Sequence, residues 1–150
     1  MEKSVKTLTE LDAEAARFVG ELTPREGSAT LVVLSGELGA GKTAFVKAVA
    51  RALGVEEMVN SPTFVLEKIY SLASALDENA KAFSRLVHID AYRLEAGSDL
   101  APLGFDELMR DANNLILLEW PEKVQSALPV PAAHLSFVSL PDATRIISYD

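Results

Sequence analysis

The chain has 150 residues, 49% of them hydrophobic, and 14 Lys and Arg against 22 Asp and Glu give a net charge of −8. That length fits one domain, residues 1–150, burying about two thirds of its unfolded surface. The lack of cysteine excludes disulfides, zinc–thiolate sites and thiol catalysis; the acidic balance speaks against gripping nucleic acid unaided; and without a signal-peptide pattern or an apolar stretch of about 18 residues, the expected location is the cytoplasm, with no membrane role.

Residues 1–9 alternate loosely and predict an edge strand. The period then changes. Leu11, Ala15, Phe18, Val19 and Leu22 recur at helical spacing over residues 10–22, with Thr9 as the expected N-cap and Asp12 three residues later. A turn over residues 23–28, marked by Pro24 and Gly27, delivers the chain to Thr30-Leu31-Val32-Val33-Leu34, a continuous apolar run that predicts a strand buried on both faces. Residues 44–53 are rich in helix formers, and Gly54 is the expected stop. Residues 61–70 predict an extended segment opened by Pro62. Residues 71–84 have no clear period and read as a surface excursion. Arg85-Leu86-Val87-His88-Ile89 and Asn114-Leu115-Ile116-Leu117-Leu118 predict two more buried strands, separated by short helical stretches at 98–104, broken by Pro102 and Gly104, and at 105–110. Two final strands, near 134–140 and 144–149, flank the hairpin signal Pro141-Asp142-Ala143. The pattern predicts an α/β domain in three layers, a largely parallel central sheet with an antiparallel C-terminal edge.

Between the first buried strand and its helix stands Gly36-Glu37-Leu38-Gly39-Ala40-Gly41-Lys42-Thr43. This is the G-x-x-x-x-G-K-[ST] phosphate loop in the strand–loop–helix context it requires. Gly36 and Gly41 permit close approach of backbone to phosphate, and a side chain at Gly39 would crowd a nucleotide. Consecutive N–H groups and the positive end of the helix form an anion nest. Lys42 supplies a mobile charge for the β and γ phosphates, and the Thr43 hydroxyl is a ligand for Mg²⁺. Two buried runs end in acid, at Asp90 and Glu119, where α/β sheets bind ligands. Either carboxylate could hold Mg²⁺ and the other orient an attacking water or sense the γ-phosphate. Thr63, after Pro62, could reach the metal or γ-phosphate. His88 reads as a buried, hydrogen-bonded core histidine. Arg93 could stabilise phosphate charge or form a surface ion pair, and Trp120 reads equally as core packing or an interface anchor.

In order and spacing, the phosphate loop together with Asn60-Ser61-Pro62-Thr63-Phe64, His88-Ile89-Asp90-Ala91-Tyr92-Arg93-Leu94 and Leu118-Glu119-Trp120-Pro121 resembles the TsaE (YjeE) family of bacterial P-loop ATPases. The resemblance implies a P-loop NTPase-type fold and a role in making N6-threonylcarbamoyladenosine at position 37 of tRNA. It further implies ATP and Mg²⁺ as cofactors, TsaD and TsaB as protein partners, and contact with tRNA only through that complex. It carries the nucleotide phosphates onto Glu37, Leu38, Gly39, Ala40, Gly41, Lys42, Thr43 and Ala44, and Mg²⁺ onto Thr43 and Glu119. Thr63 and Asp90 would serve the γ-phosphate and the hydrolytic water, with Lys42 on the phosphates, and Thr9 and Glu10 would border the base. No arginine finger or lid is evident, so slow turnover with partner stimulation is expected. The motif also leaves open a small-molecule kinase, or an assembly factor that binds ATP without needing to hydrolyse it.

Overall fold

The computed structural model describes residues 1–55, 67–72 and 83–150. Among these residues seven strands and three α-helices follow in the order β1 (Glu2–Val5), α1 (Leu8–Glu21), β2 (Thr30–Gly36), α2 (Lys42–Ala52), β3 (Glu67–Ser71), β4 (Arg85–Asp90), α3 (Phe105–Met109), β5 (Asn114–Glu119), β6 (Ala133–Ser139) and β7 (Arg145–Tyr149). A 3-10 helix spans Gly97–Leu103, containing Pro102, and two more, Pro121–Lys123 and Gln125–Ala127, follow β5. No helix among the described residues is long and apolar enough to cross a membrane.

The continuous apolar runs lie where both faces of a sheet are covered. β5 is buried at every position and β2 over its first five. Alternate residues of these strands feed two separate cores. Val32, Leu34, Leu86, Leu115 and Leu117 pack with Leu11, Phe18, Phe45 and Val49 of α1 and α2. Leu31, Val33, Val87, Ile89, Ile116 and Leu118 pack with Leu100, Phe105, Leu108 and Val124 on the other face. The period of two in the strand sends neighbouring side chains to opposite layers.

Strand order is β1-β7-β6-β2-β5-β4-β3. The four central strands, β6, β2, β5 and β4, are mutually parallel, and both flanks are antiparallel. β6 and β7 form the expected antiparallel hairpin and β1 is the expected edge strand; the C-terminal hairpin is not itself the outer edge, because β1 adds outside β7 and β6 runs parallel to β2 inside the sheet. The opposite edge, β3, is antiparallel as well. Local sequence carries the hairpin, whereas the pairing of the first strand with the last joins residues about as far apart as the chain allows.

The start of α1 also differs from expectation. The cap is Thr7, whose Oγ1 accepts from the Glu10 N–H at 3.1 Å, while the Glu10 carboxylate accepts from the Lys6 and Thr7 N–H groups at 2.7 and 3.2 Å. This reciprocal box uses a Glu at the third helical position, which reaches back where the shorter Asp12 would not. Asp12 instead accepts from Arg51 of α2 at 2.6 Å. At the far end of α2, Gly54 takes φ +83°, and the Gly54 and Val55 N–H groups bond to the Arg51 and Ala50 carbonyls, the glycine-terminated ending that the sequence predicts.

Candidate functional site at the end of the parallel strands

Because β2, β5 and β4 are parallel, their C-terminal ends open on one side of the sheet. In register, Leu34 lies opposite Glu119, and Glu119 opposite Asp90. Residues at matched register share a face, and Glu119 follows the parity of Leu115 and Leu117, the layer facing α2. Both acids therefore turn toward the helix that the glycine loop begins. The strand ends are tied together, since the Ala91 N–H donates to the Glu119 carbonyl at 3.0 Å and the Trp120 N–H to the Leu34 carbonyl at 3.1 Å.

The loop over residues 36–43 is shaped by glycine. Gly36, Gly39 and Gly41 have φ of +146°, +78° and +110°. A Cβ on Gly36 would lie 2.6 Å from the Phe137 carbonyl oxygen, so β6 demands a bare Cα there. Among the described residues, nothing beyond its two chain neighbours lies within 4 Å of a Cβ on Gly39, so what these residues demand at that position is the left-handed turn. Gly41 is the N-cap of α2 and, unlike Thr7 at α1, contributes no side-chain cap. The first N–H groups of an α-helix have no intrahelical partner. Here they end in a glycine loop with alternating backbone handedness, the geometry of an anion nest at a positive helix end.

Three side chains complete the cluster. Thr43 Oγ1 lies 3.1 Å from both carboxylate oxygens of Glu119. Glu119, only 2% exposed, also meets His88 Nε2 at 2.6 Å. Lys42, 4% exposed, donates through Nζ to the Gly36 carbonyl and, at 3.2 Å, to the Glu37 carbonyl, and sits 3.8 Å from the centroid of the Trp120 ring. Burial pushes the Lys42 ammonium below the usual lysine range, against the pull of Glu119, Glu122, Asp90 and Glu37. Trp120 reaches that position through a left-handed backbone, φ +63°, and packs against Tyr92 with ring centroids 5.0 Å apart and planes tilted by 51°. Asp90 accepts from the Tyr92 N–H at 3.0 Å. Beside Gly41, a cavity of about 220 Å³ is lined by Val5, Thr7, Leu8, Leu11, Ala44, Phe137 and Arg145 among others.

The fold thus brings together Glu37, Lys42, Thr43, Asp90 and Glu119 of the expected site residues, with the 37–44 backbone around them. Thr43 with Glu119 offers a hydroxyl and a carboxylate, hard oxygen donors suited to Mg²⁺ completed by phosphate oxygens and water. Sequence pattern left Asp90 and Glu119 equivalent; the contact with Thr43 belongs to Glu119. Thr63 lies outside the described residues. Thr9 and Glu10 do not line the cavity beside Gly41. Glu10 is spent on the α1 cap, and Thr7 and Leu8 stand there instead, the consequence of the helix starting two residues early. Trp120 is neither simple core nor a bare surface anchor, because its ring covers Lys42. Arg145, which had no motif to mark it, lies against Gly41, with Nε 3.3 Å from the position of a Cβ, and is held by Ser139 Oγ at 2.5 Å. Arg93 lies on the exposed stretch after β4.

Comparison with known proteins agrees over nearly the whole length. Residues 5–147 match the family model described as threonylcarbamoyl adenosine biosynthesis protein TsaE. The chain is 38% identical over 130 residues to the tRNA threonylcarbamoyladenosine biosynthesis protein TsaE of Treponema pallidum, covering 87% of this chain and 86% of that one. It is 34% identical over 119 residues to the Bacillus subtilis protein of the same name, covering 79% and 68%. The crystal structure of Bacillus subtilis YdiB superposes with a TM-score of 0.74 at 25% identity, over 99% of this chain and 83% of that one. The chain belongs to the TsaE family.

Proposed function

We propose that this protein binds ATP with Mg²⁺ on a P-loop NTPase-type fold and hydrolyses it, slowly when alone, to support threonylcarbamoyl modification of adenosine 37 in tRNA by acting on the TsaD–TsaB complex. The observation that carries the reading is the Thr43–Glu119 contact at the mouth of an uncapped helix entered through left-handed glycines. Such a helix start accepts phosphate through backbone N–H groups. The paired hydroxyl and carboxylate stand beside it as cation ligands.

Within this reading the residues divide the work. The N–H groups around residues 39–44 hold the phosphates, and Lys42 leaves the Gly36 carbonyl and the Trp120 ring to neutralise phosphate charge. Mg²⁺, when bound, supplies Lewis-acid neutralisation of the charge on the reacting phosphate. Thr43 and Glu119 hold the ion, and Asp90, beside Glu119 in register, orients the attacking water, with Thr63 serving the γ-phosphate. The cavity between β1, α1 and Gly41 suits the nucleoside, with apolar walls from Val5, Leu11 and Phe137. With a net charge of −8, the protein leaves tRNA to be held by the complex it acts upon. The cytoplasm is the compartment that such a role implies.

Reconstituted tRNA modification tests this. Addition of the protein with ATP is expected to raise threonylcarbamoyl transfer by the TsaD–TsaB complex, and Glu119→Gln, with ATP still bound, is expected to abolish that gain. Full support by a hydrolysis-dead Glu119→Gln would reduce the protein to an ATP-binding assembly factor. Phosphorylation of a small metabolite with no effect on tRNA would make it a kinase.

A further inference from the structure

The reaction outlined above makes no use of His88. It lies in the middle of β4 and is fully buried. Its parity is that of Leu86 and Asp90, so it faces α2. Across the β4–β5 pairing His88 stands opposite Leu117, and Glu119 is two residues further along, the diagonal that a long side chain can span. Nε2 lies 2.6 Å from Glu119 Oε2. Nε2 carries the proton of this bond, because an imine lone pair facing a carboxylate oxygen at that distance would be repulsive. Nδ1 is buried and has no hydrogen-bond partner among the described residues.

That lopsided arrangement has a cost. A leucine in the same space would fill the core without leaving a ring nitrogen unpartnered, and buried polar atoms without partners lower stability. The only polar contact the ring makes among the described residues is to Glu119. The carboxylate needs such a restraint, since it ends a flexible side chain at a strand terminus and its other neighbour, Thr43, lies equally far from both of its oxygens.

We infer that His88 is a positioning residue for the cation site: its Nε2–H pins Oε2 of Glu119 and so leaves Oε1 beside the Thr43 hydroxyl as the oxygen offered to the metal. The inference rests on the reading of Thr43 and Glu119 as Mg²⁺ ligands. Groups hydrogen-bonded to metal ligands orient them, and their loss weakens metal binding about 10- to 100-fold.

Two amide variants separate this role from a structural one. In His88→Gln the side-chain amide extends far enough to donate to Glu119, whereas in His88→Asn it stops short, and both keep a polar group in the same buried place. Mn²⁺ binding to the ADP-loaded protein, followed by electron paramagnetic resonance, reads the cation site directly; calorimetric titration of ADP in the presence of EDTA reads the phosphate loop without metal. His88→Asn is expected to weaken Mn²⁺ binding about 10- to 100-fold and His88→Gln to stay within about threefold of wild type, with metal-free ADP affinity unchanged in both. Equal losses in the two variants, no loss in either, or a matching loss of metal-free ADP affinity would overturn the positioning role. Failure of the wild-type protein to bind Mn²⁺ with ADP would instead overturn the cation-site reading on which the role rests.

Discussion

The Lys42 ammonium rests 3.8 Å from the centroid of the Trp120 ring while its hydrogen bonds go to the Gly36 and Glu37 carbonyls. The loop's only cationic side chain is therefore held by the site's own backbone and by an aromatic face. Cation–π contacts of this kind contribute about 0.5–2 kcal/mol, small beside the charge-assisted bonds a phosphate offers. Trp120 is the only tryptophan in the chain, so its fluorescence reports this contact. Saturating Mg²⁺-ATP is expected to change the emission, and Lys42→Met to remove that response and weaken nucleotide binding roughly 10- to 100-fold. An unchanged nucleotide response in Lys42→Met would separate the ring from the lysine.

Gly36 and Gly39 both have positive φ but differ in their surroundings. A Cβ at Gly36 would sit 2.6 Å from the Phe137 carbonyl oxygen and 3.2 Å from Phe137 Cβ, so β2 or β6 would have to shift. Gly36→Ala is expected to cost about 2–4 kcal/mol of stability, from a strained backbone plus a clash. Gly39→Ala meets only the backbone penalty, about 1–2 kcal/mol. Chemical denaturation of the two variants checks the order, and equal losses would mean that the contact with β6 carries no weight.

In the β6–β7 hairpin, Ala143 adopts φ +70°, with the Leu140 N–H bonded to the Thr144 carbonyl at 2.8 Å and the Thr144 N–H to Asp142 Oδ1 at 3.1 Å. A three-residue loop of this kind favours glycine at its left-handed position. Ala143→Gly removes a penalty of about 1–2 kcal/mol and adds back some chain entropy in the unfolded state. The expected net gain is about 0.5–1 kcal/mol, or roughly 1–4 °C in melting temperature for a chain of this size. A lower melting temperature would show that the turn is not under strain.

Glu14 of α1 ties the helix to the last strand. Its carboxylate accepts from Arg17 and from the Tyr149 hydroxyl. Burial alone would raise its pKa, but the hydrogen bonds from Arg17 and Tyr149 outweigh that and hold it below 4.5. A depressed carboxyl contributes stability that is fully present above its unfolded value and lost as pH falls through the folded one. Glu14→Gln is therefore expected to cost about 1–3 kcal/mol near neutral pH, and less as pH drops below about 4.5. Parallel acid limbs for the two proteins would show that Glu14 makes no pH-dependent contribution.

Much of this molecule follows from local sequence. The apolar run of β2, the glycine loop and the Gly54 stop need only neighbouring residues to be recognised, because such a loop is built from the backbone preferences of adjacent positions. The acids at the ends of β4 and β5 were legible for the same reason, as charges terminating buried strands. What local pattern could not decide was which acid meets Thr43. That depends on β5 being inserted between β2 and β4, a pairing over long sequence separation that carries no local signal. The same holds for β1 closing on β7, for His88 bonding to Glu119 across two strands, and for the Trp120 ring over Lys42, which requires a left-handed backbone at a residue that rarely adopts one. Sequence alone determined that this chain would build a glycine-rich strand–loop–helix turn with two carboxylates at the ends of neighbouring strands; the tertiary structure decided which side chains hold the lysine and the glutamate in place, because only strand order brings them within contact distance.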